Sequence, residues 1–288
     1  KEFKAVFTNL GASGRFGPTS LGSHYANQDH DGQVTLSSGI QQWTVPYTGD
    51  YRIQAIGAAG GYDKHSRSAQ YRGRGARMIG TFPLKEGEVI QILVGQEGGV
   101  NGRSHSSGGG GGTFVVRGAY TFLIIAGGGG GIESARSRHS GCDASTGSLG
   151  NPGHKSWSGG SGGHGAQTAD ADNSGGGGGG FFSSGRSSKQ FGGTSGYGGE
   201  GGRGFIQGAV GGRAKFNNAV GGFGGGGGAY GNGGGAGGGG GGYSGGSSGD
   251  NEVNSCGGGG GSYNAGKNQQ NECCYQSSGH GQVIITLL

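Results

Sequence analysis

Between Gly221 and Gly242 the chain reads GGFGGGGGAYGNGGGAGGGGGG, with 17 glycines among 22 residues and no aliphatic side chain larger than alanine. Glycine gives up more conformational freedom on folding than any other residue, roughly 0.5 to 1 kcal/mol more than alanine in a regular element. Such a run is expected to be neither a helix nor an ordinary strand. The geometry that makes use of a missing side chain is polyproline II, extended at about 3.1 Å per residue with three residues per turn and no internal hydrogen bonds. Its N–H and C=O groups then need partners on neighbouring segments.

Runs at 108–112, 127–131, 175–180 and 257–261, with a looser one at 192–204, supply such neighbours. Six residues in this geometry span about 19 Å, enough to cross a small domain. The expectation is a bundle of polyproline II segments, with Gly110, Gly129, Gly177, Gly226, Gly239 and Gly259 at its centre. Carbonyls would accept there from adjacent N–H and Cα–H donors. A flexible tether is the alternative. Against it stand the aromatics that punctuate the runs and are placed to cap a bundle: Phe181, Phe182, Phe223, Tyr230 and Tyr243.

With 84 glycines and 4 prolines in 288 residues, and no strict glycine at every third position, collagen is excluded. Hydrophobic residues make up 29% of the chain, and they are clustered, so a core is still available. The net charge of +5 permits weak attraction to acidic polymers without demanding it. No run of 18 apolar residues is present to span a bilayer. The start at Lys1, without methionine, fits a chain matured by signal cleavage. Cys142, Cys256, Cys273 and Cys274 form an even set without a CxxC pair. Adjacent Cys273 and Cys274 bridge each other only with strain, so the expectation sends one of them to Cys142 and the other to Cys256. Disulfides place the chain in an oxidising, extracellular setting.

The apolar alternation predicts strands at 3–9, 33–36, 41–45, 50–56, 77–84, 88–94, 113–116, 120–126 and 282–288. Tyr51, Ile53 and Ala55 share one face, as do Ile90, Ile92 and Val94. Turns at 85–87 and 117–119 suggest hairpins joining 77–84 to 88–94 and 113–116 to 120–126. No aliphatic strand is visible from 127 to 278, so the last strand is expected to return to a sheet built by the first 126 residues. The fold expected is all-β: a jelly-roll-like sandwich of residues 1–126 and 279–288, carrying 127–278 as a glycine-rich insertion in one compact body. The 108–112 run joins the bundle.

The stretches GASGRFGPT (11–19), GIQQWTVP (39–46), GAAGG (57–61), ILVGQEG (92–98), GGGGGTFV (108–115), LIIAGGGGG (123–131) and GHGQV (279–283) are ordered along nearly the whole chain. Together they resemble the extracellular glycine-rich domain of the anaplastic lymphoma kinase and leukocyte tyrosine kinase receptors. Several of these stretches rest on residues other than glycine. The resemblance implies a tumour-necrosis-factor-like sandwich carrying a bundle of polyproline II glycine helices. The chain has fewer cysteines than those receptors, which continue into a cysteine-rich growth-factor-like module, a membrane helix and a kinase, whereas this sequence stops at Leu288. Their domains resemble acidic docking surfaces, whereas this one is basic, so no ligand-contact residue carries over.

No pattern indicates catalysis, a metal or a cofactor. GSYNAGKN (261–268) has phosphate-loop spacing but Asn268 where a Ser or Thr should hold magnesium, and no apolar helix follows. The GxSxG strings around Ser161 and Ser247 lack the strand-to-helix elbow of a nucleophile. His139 and Cys142 have metal-ligand spacing without a second pair. RGRG (72–75) and GRGF (202–205) are too few for an arginine-glycine RNA-binding tail, and no nucleic-acid partner is expected. The sequence therefore points to a secreted, non-enzymatic structural protein whose partners are copies of itself, assembling into a filament or matrix. The alternative is a receptor-like recognition module for a protein ligand.

Overall fold

Alternation of inward apolar and outward polar residues makes the strands, and a computed structural model, describing residues 2–233, 235–276 and 279–288, assembles them into antiparallel sheets. In chain order they are β1 (Lys4–Phe7), β2 (Val34–Ser37), β3 (Ile40–Thr44), β4 (Gly49–Ile56), β5 (Gly75–Leu84), β6 (Val89–Leu93), β7 (Thr113–Arg117) and β8 (Thr121–Ala126). There follow β9 (Ile132–Glu133), β10 (Ser255–Cys256), β11 (Tyr263–Asn264), β12 (Lys267–Gln276) and β13 (Gln282–Leu287). Among the described residues there is no α-helix, and four short 3-10 turns punctuate the chain.

One sheet runs β1-β13-β4-β5-β12 and the other β11-β8-β7-β6-β3-β2, with β9 and β10 forming a separate pair. The final strand lies between β1 and β4, with Val283 opposite both Phe7 and Ala55, so the chain does return to the sheet of its first residues. Inner faces of both sheets share one core. Its centre is Trp43, whose ring lies 6.1 Å from Phe3, 6.0 Å from Phe7 and 5.8 Å from Tyr51. The Trp43 indole N–H donates to Gln33 Oε1 at 3.0 Å, which satisfies the one polar atom of a fully buried ring.

The hairpin expected at 85–87 is absent. β5 pairs with β4 and β12 in one sheet, while β6 pairs with β3 and β7 in the other, so this turn crosses between sheets. A tight turn with alternating flanks signals reversal but cannot say whether the return strand stays in its sheet. The second expected hairpin, β7 to β8, is present, with Thr113 opposite Ala126. The chain from 127 to 278 also contributes β11 and β12 to the sheets. Both escape an apolar search, since β12 reads KNQQNECCYQ and pairs with β5 through backbone bonds while Lys267 to Cys273 are exposed.

The second sheet is covered on both faces. Ile40, Leu93, Phe114, Val116 and Ile125 point away from the shared core and pack against Phe181, Phe205 and Phe223 of the glycine-rich region. Phe181 stacks on Phe205 at 5.0 Å, and Phe205 meets Phe114 at 5.1 Å. Phe181, Phe182, Phe223 and Tyr243 thus bind glycine-rich chain to sheet rather than capping free ends, while Tyr230 packs on Phe216 within the glycine-rich region.

The glycine runs at 108–112, 127–131, 175–180 and 257–261 are buried, and hydrogen bonds between runs repeat every third residue. Gly109 and Gly112 donate to the carbonyls of Gly227 and Gly224, each at 2.9 Å; Gly128 and Gly131 donate to Gly241 and Gly238, each at 2.8 Å. Gly176 and Gly179 likewise bond Gly228 and Gly225, each at 2.7 Å. Residues between them bond other neighbours: Gly110 donates to Gly129, Gly129 to Ala58, Gly177 to Arg186, Gly239 to Gly176 and Gly259 to Gly141. Gly226 bonds Gly222, within its own tract. A methyl on Gly110, Gly177, Gly226, Gly239 or Gly259 would overlap the carbonyl oxygen of Ala59, Ala166, Gly109, Gly246 or Asp143 respectively, and one on Gly129 would meet the backbone of Gly73.

Candidate recognition surface

A groove of about 560 Å³ opens where the sandwich meets the glycine-rich region. Phe16 and Pro18 come from the loop after β1, Leu36 from β2, Gly39 from the β2–β3 turn, and Val210 and Phe223 from the glycine-rich region. Its floor is Phe223. Gly17 and Gly39 lie against each other beside that ring, and a methyl on either would run into it. Gly39 also has φ +81°, a left-handed conformation that glycine adopts without steric cost.

The loop wall is clasped to the glycine region from several sides. Arg15 donates from Nε to the Gly211 carbonyl at 3.0 Å, and its own carbonyl accepts from Gly211 N–H at 2.8 Å. Gln96 donates to the carbonyls of Gly14 and Phe16 at 3.0 and 2.9 Å. Glu200, with a buried side chain, takes Arg15 at 3.4 Å and Arg213 at 2.7 Å, and also accepts from the Arg213 backbone N–H at 3.0 Å. Burial pushes the Glu200 carboxyl up, but the bonds from Arg213 and the charges of Arg213 and Arg15 outweigh it and hold it below the ordinary glutamate value. Phe16 stands 59% exposed at the rim with the Arg15 guanidinium 4.6 Å from its ring centre.

This is a mainly apolar recess with an arginine at its rim, of a kind suited to an apolar side chain. Thr19 and Ser38 are the hydroxyl side chains among the residues that line it, and no carboxylate or imidazole stands with them, so the recess offers binding rather than acid–base chemistry. Sequence reasoning passed over Phe16, Arg15, Glu200 and Arg213. The available signals were an aromatic inside GRFG and a single glutamate within a glycine tract.

All four cysteines are in disulfides, but the pairing differs from the one expected: Cys142 joins Cys256, and Cys273 joins its neighbour Cys274 across a cis peptide bond. Cys142 and Cys256 meet in a buried cluster with Ile132 and Ala135, while β12 carries the other two along the sheet edge. The remaining motifs have structural uses. Lys267 and Asn268 begin a strand rather than a helix; Ser247 Oγ accepts from Gly153 and Gly258 N–H at 2.9 and 3.0 Å. His139 stacks on His154 with ring centres 3.6 Å apart. No helix among the described residues is long and apolar enough to cross a membrane.

No family model matches the chain. Over 98 residues it is 42% identical to the leukocyte tyrosine kinase receptor of Mus musculus, a match that takes in 32% of this chain and 11% of the receptor. The chain is thus similar, over about a third of its length, to a small part of a much longer receptor.

Proposed function

We propose that this chain is a non-enzymatic extracellular recognition module: a tumour-necrosis-factor-like sandwich, stiffened by polyproline II glycine segments, that presents the groove around Phe16 to a protein ligand. The similarity to a receptor carries this reading. The period of three in the glycine hydrogen bonds supports the polyproline II assignment, since three residues per turn bring every third N–H to the same neighbour. Two disulfides suit an oxidising compartment.

Assembly of copies into a filament is the competing reading. The edge of the first sheet argues against it: β12 exposes Lys267 and Glu272 along with Gln and Asn side chains, the kind of edge that discourages strand-to-strand pairing. Light scattering at micromolar concentration, followed by capture of proteins secreted by the source organism, separates the two. A monomer that captures a protein, with capture lost in Phe16→Ser and Val210→Asp variants that melt like wild type, is the expected outcome. Regular fibres would move the conclusion to self-assembly. Capture untouched by both substitutions would remove the groove.

A further inference from the structure

On a part of the molecule that does not line the groove, three segments bring two carboxylates and an imidazole together. Asp63 follows the 57–61 stretch beyond β4, His105 lies in the loop between β6 and β7, and Glu133 ends β9. One ligating atom from each lies within 4.8 Å of the others. Asp63 and Glu133 are 4% and 2% exposed, and His105 is half-buried.

Each side chain is held. Asp63 Oδ2 accepts from the N–H groups of Ser106 and Ser134 at 3.0 and 2.7 Å, and Oδ1 accepts from His65 N–H at 3.2 Å, which leaves Oδ1 a free lone pair. Ser134 Oγ donates to Glu133 Oε1 at 3.1 Å and lies 2.8 Å from His105 Nδ1. With the hydroxyl hydrogen directed at Glu133, the His105 proton sits on Nδ1 and the lone pair of Nε2 stays open. Asn101 shapes the loop by donating to the carbonyls of His105, Ser106 and Gly231 at 3.0, 2.9 and 3.1 Å.

The independent observation is Glu133 Oε2, which is buried and has no hydrogen-bond partner. Among the described residues no ion pair reaches Asp63 or Glu133. Asp63 and Glu133 are two buried carboxylates set close together without an ion-pair partner among the described residues. A cation answers both the repulsion and the unsatisfied oxygen.

We propose that Asp63, His105 and Glu133 bind a divalent transition-metal ion of the zinc class, which staples the segment after β4, the β6–β7 loop and β9 to one another. Calcium and magnesium prefer all-oxygen shells, whereas two carboxylates with an imidazole suit zinc, and water takes the fourth position. Two ligands of one tetrahedral zinc ion lie roughly 3.4 Å apart. The three ligating atoms, all within 4.8 Å of one another, draw in toward that spacing when the ion binds.

Chain purified in chelator and titrated with Zn²⁺ is expected to take up one ion and to melt about 5 °C higher at a hundredfold excess over Kd. Both effects should vanish in His105→Ala, whose ring is half-buried, and in Glu133→Gln. An unchanged melting temperature with Zn²⁺, a rise that persists in both variants, or an equal response to Ca²⁺ would overturn the assignment. None of these readouts depends on the groove, so this inference and the recognition reading fail separately.

Discussion

Glu200 is a lone carboxylate among glycines, and its two arginine partners come from different parts of the chain. Removing its charge leaves Arg15 without an ion-pair partner and weakens the paired bonds from Arg213. Glu200→Gln is expected to cost about 2 kcal/mol at neutral pH, toward the low end for a buried pair because Arg15 and Arg213 are 26% and 51% exposed. The carboxyl lies lower in the folded chain than in the unfolded one. Its contribution is therefore complete above the ordinary glutamate range and is lost as pH falls through the folded value. Melting of wild type and variant should accordingly differ at pH 7 and converge as pH falls through the folded carboxyl's value, below the ordinary glutamate range. A gap that survives acid would mean that packing, not charge, holds the clasp.

At the scale of elements, a glycine run here is an interior element, and its test is a single methyl. Gly226→Ala would drive a Cβ into the Gly109 carbonyl, where backbone rather than a movable side chain must yield. Gly102, with open space around its would-be Cβ, is the matched control. Gly226→Ala should destabilise by about 3 kcal/mol or more, and Gly102→Ala by less than about 0.5 kcal/mol. Equal melting of the two would return the runs to the tether reading. Each strand whose apolar residues alternate was legible in the sequence, from Ala5 and Phe7 of the first to Val283 and Ile285 of the last. β12 was not, because its place is set by backbone pairing with β5 and its side chains carry no apolar signal. The sheet membership of β5 and β6 was hidden for another reason: it depends on sheet-to-sheet packing, which leaves no mark in the turn between them. The groove was illegible in the same way. Arg15 and Glu200 lie 185 positions apart, and nothing local to either announces the other.

At the scale of the whole molecule, the glycine-rich region acts as a third layer on the sandwich, and its two ends are fastened together. β9 opens the region and β10 lies near its close; they pair with Cys256 opposite Ile132, while the Cys142–Cys256 bridge spans a sequence separation of 114. Loop-closure entropy makes such a bridge worth roughly 4 to 5 kcal/mol, whereas a bridge between neighbours closes no loop and restrains the unfolded chain little. The two disulfides of this protein are thus a matched pair for testing that account, with Cys273–Cys274 at a separation of 1. Replacing Cys142 and Cys256 together by serine should lower the melting temperature by about 10 °C or more, while the same change at Cys273 and Cys274 should shift it by about 2 °C or less. Non-reducing peptide mapping of the wild-type chain should recover Cys142 linked to Cys256. A map that joins either of them to Cys273 or Cys274, or a double-serine pair of variants that melt alike, would remove the fastening between the two ends of the glycine layer.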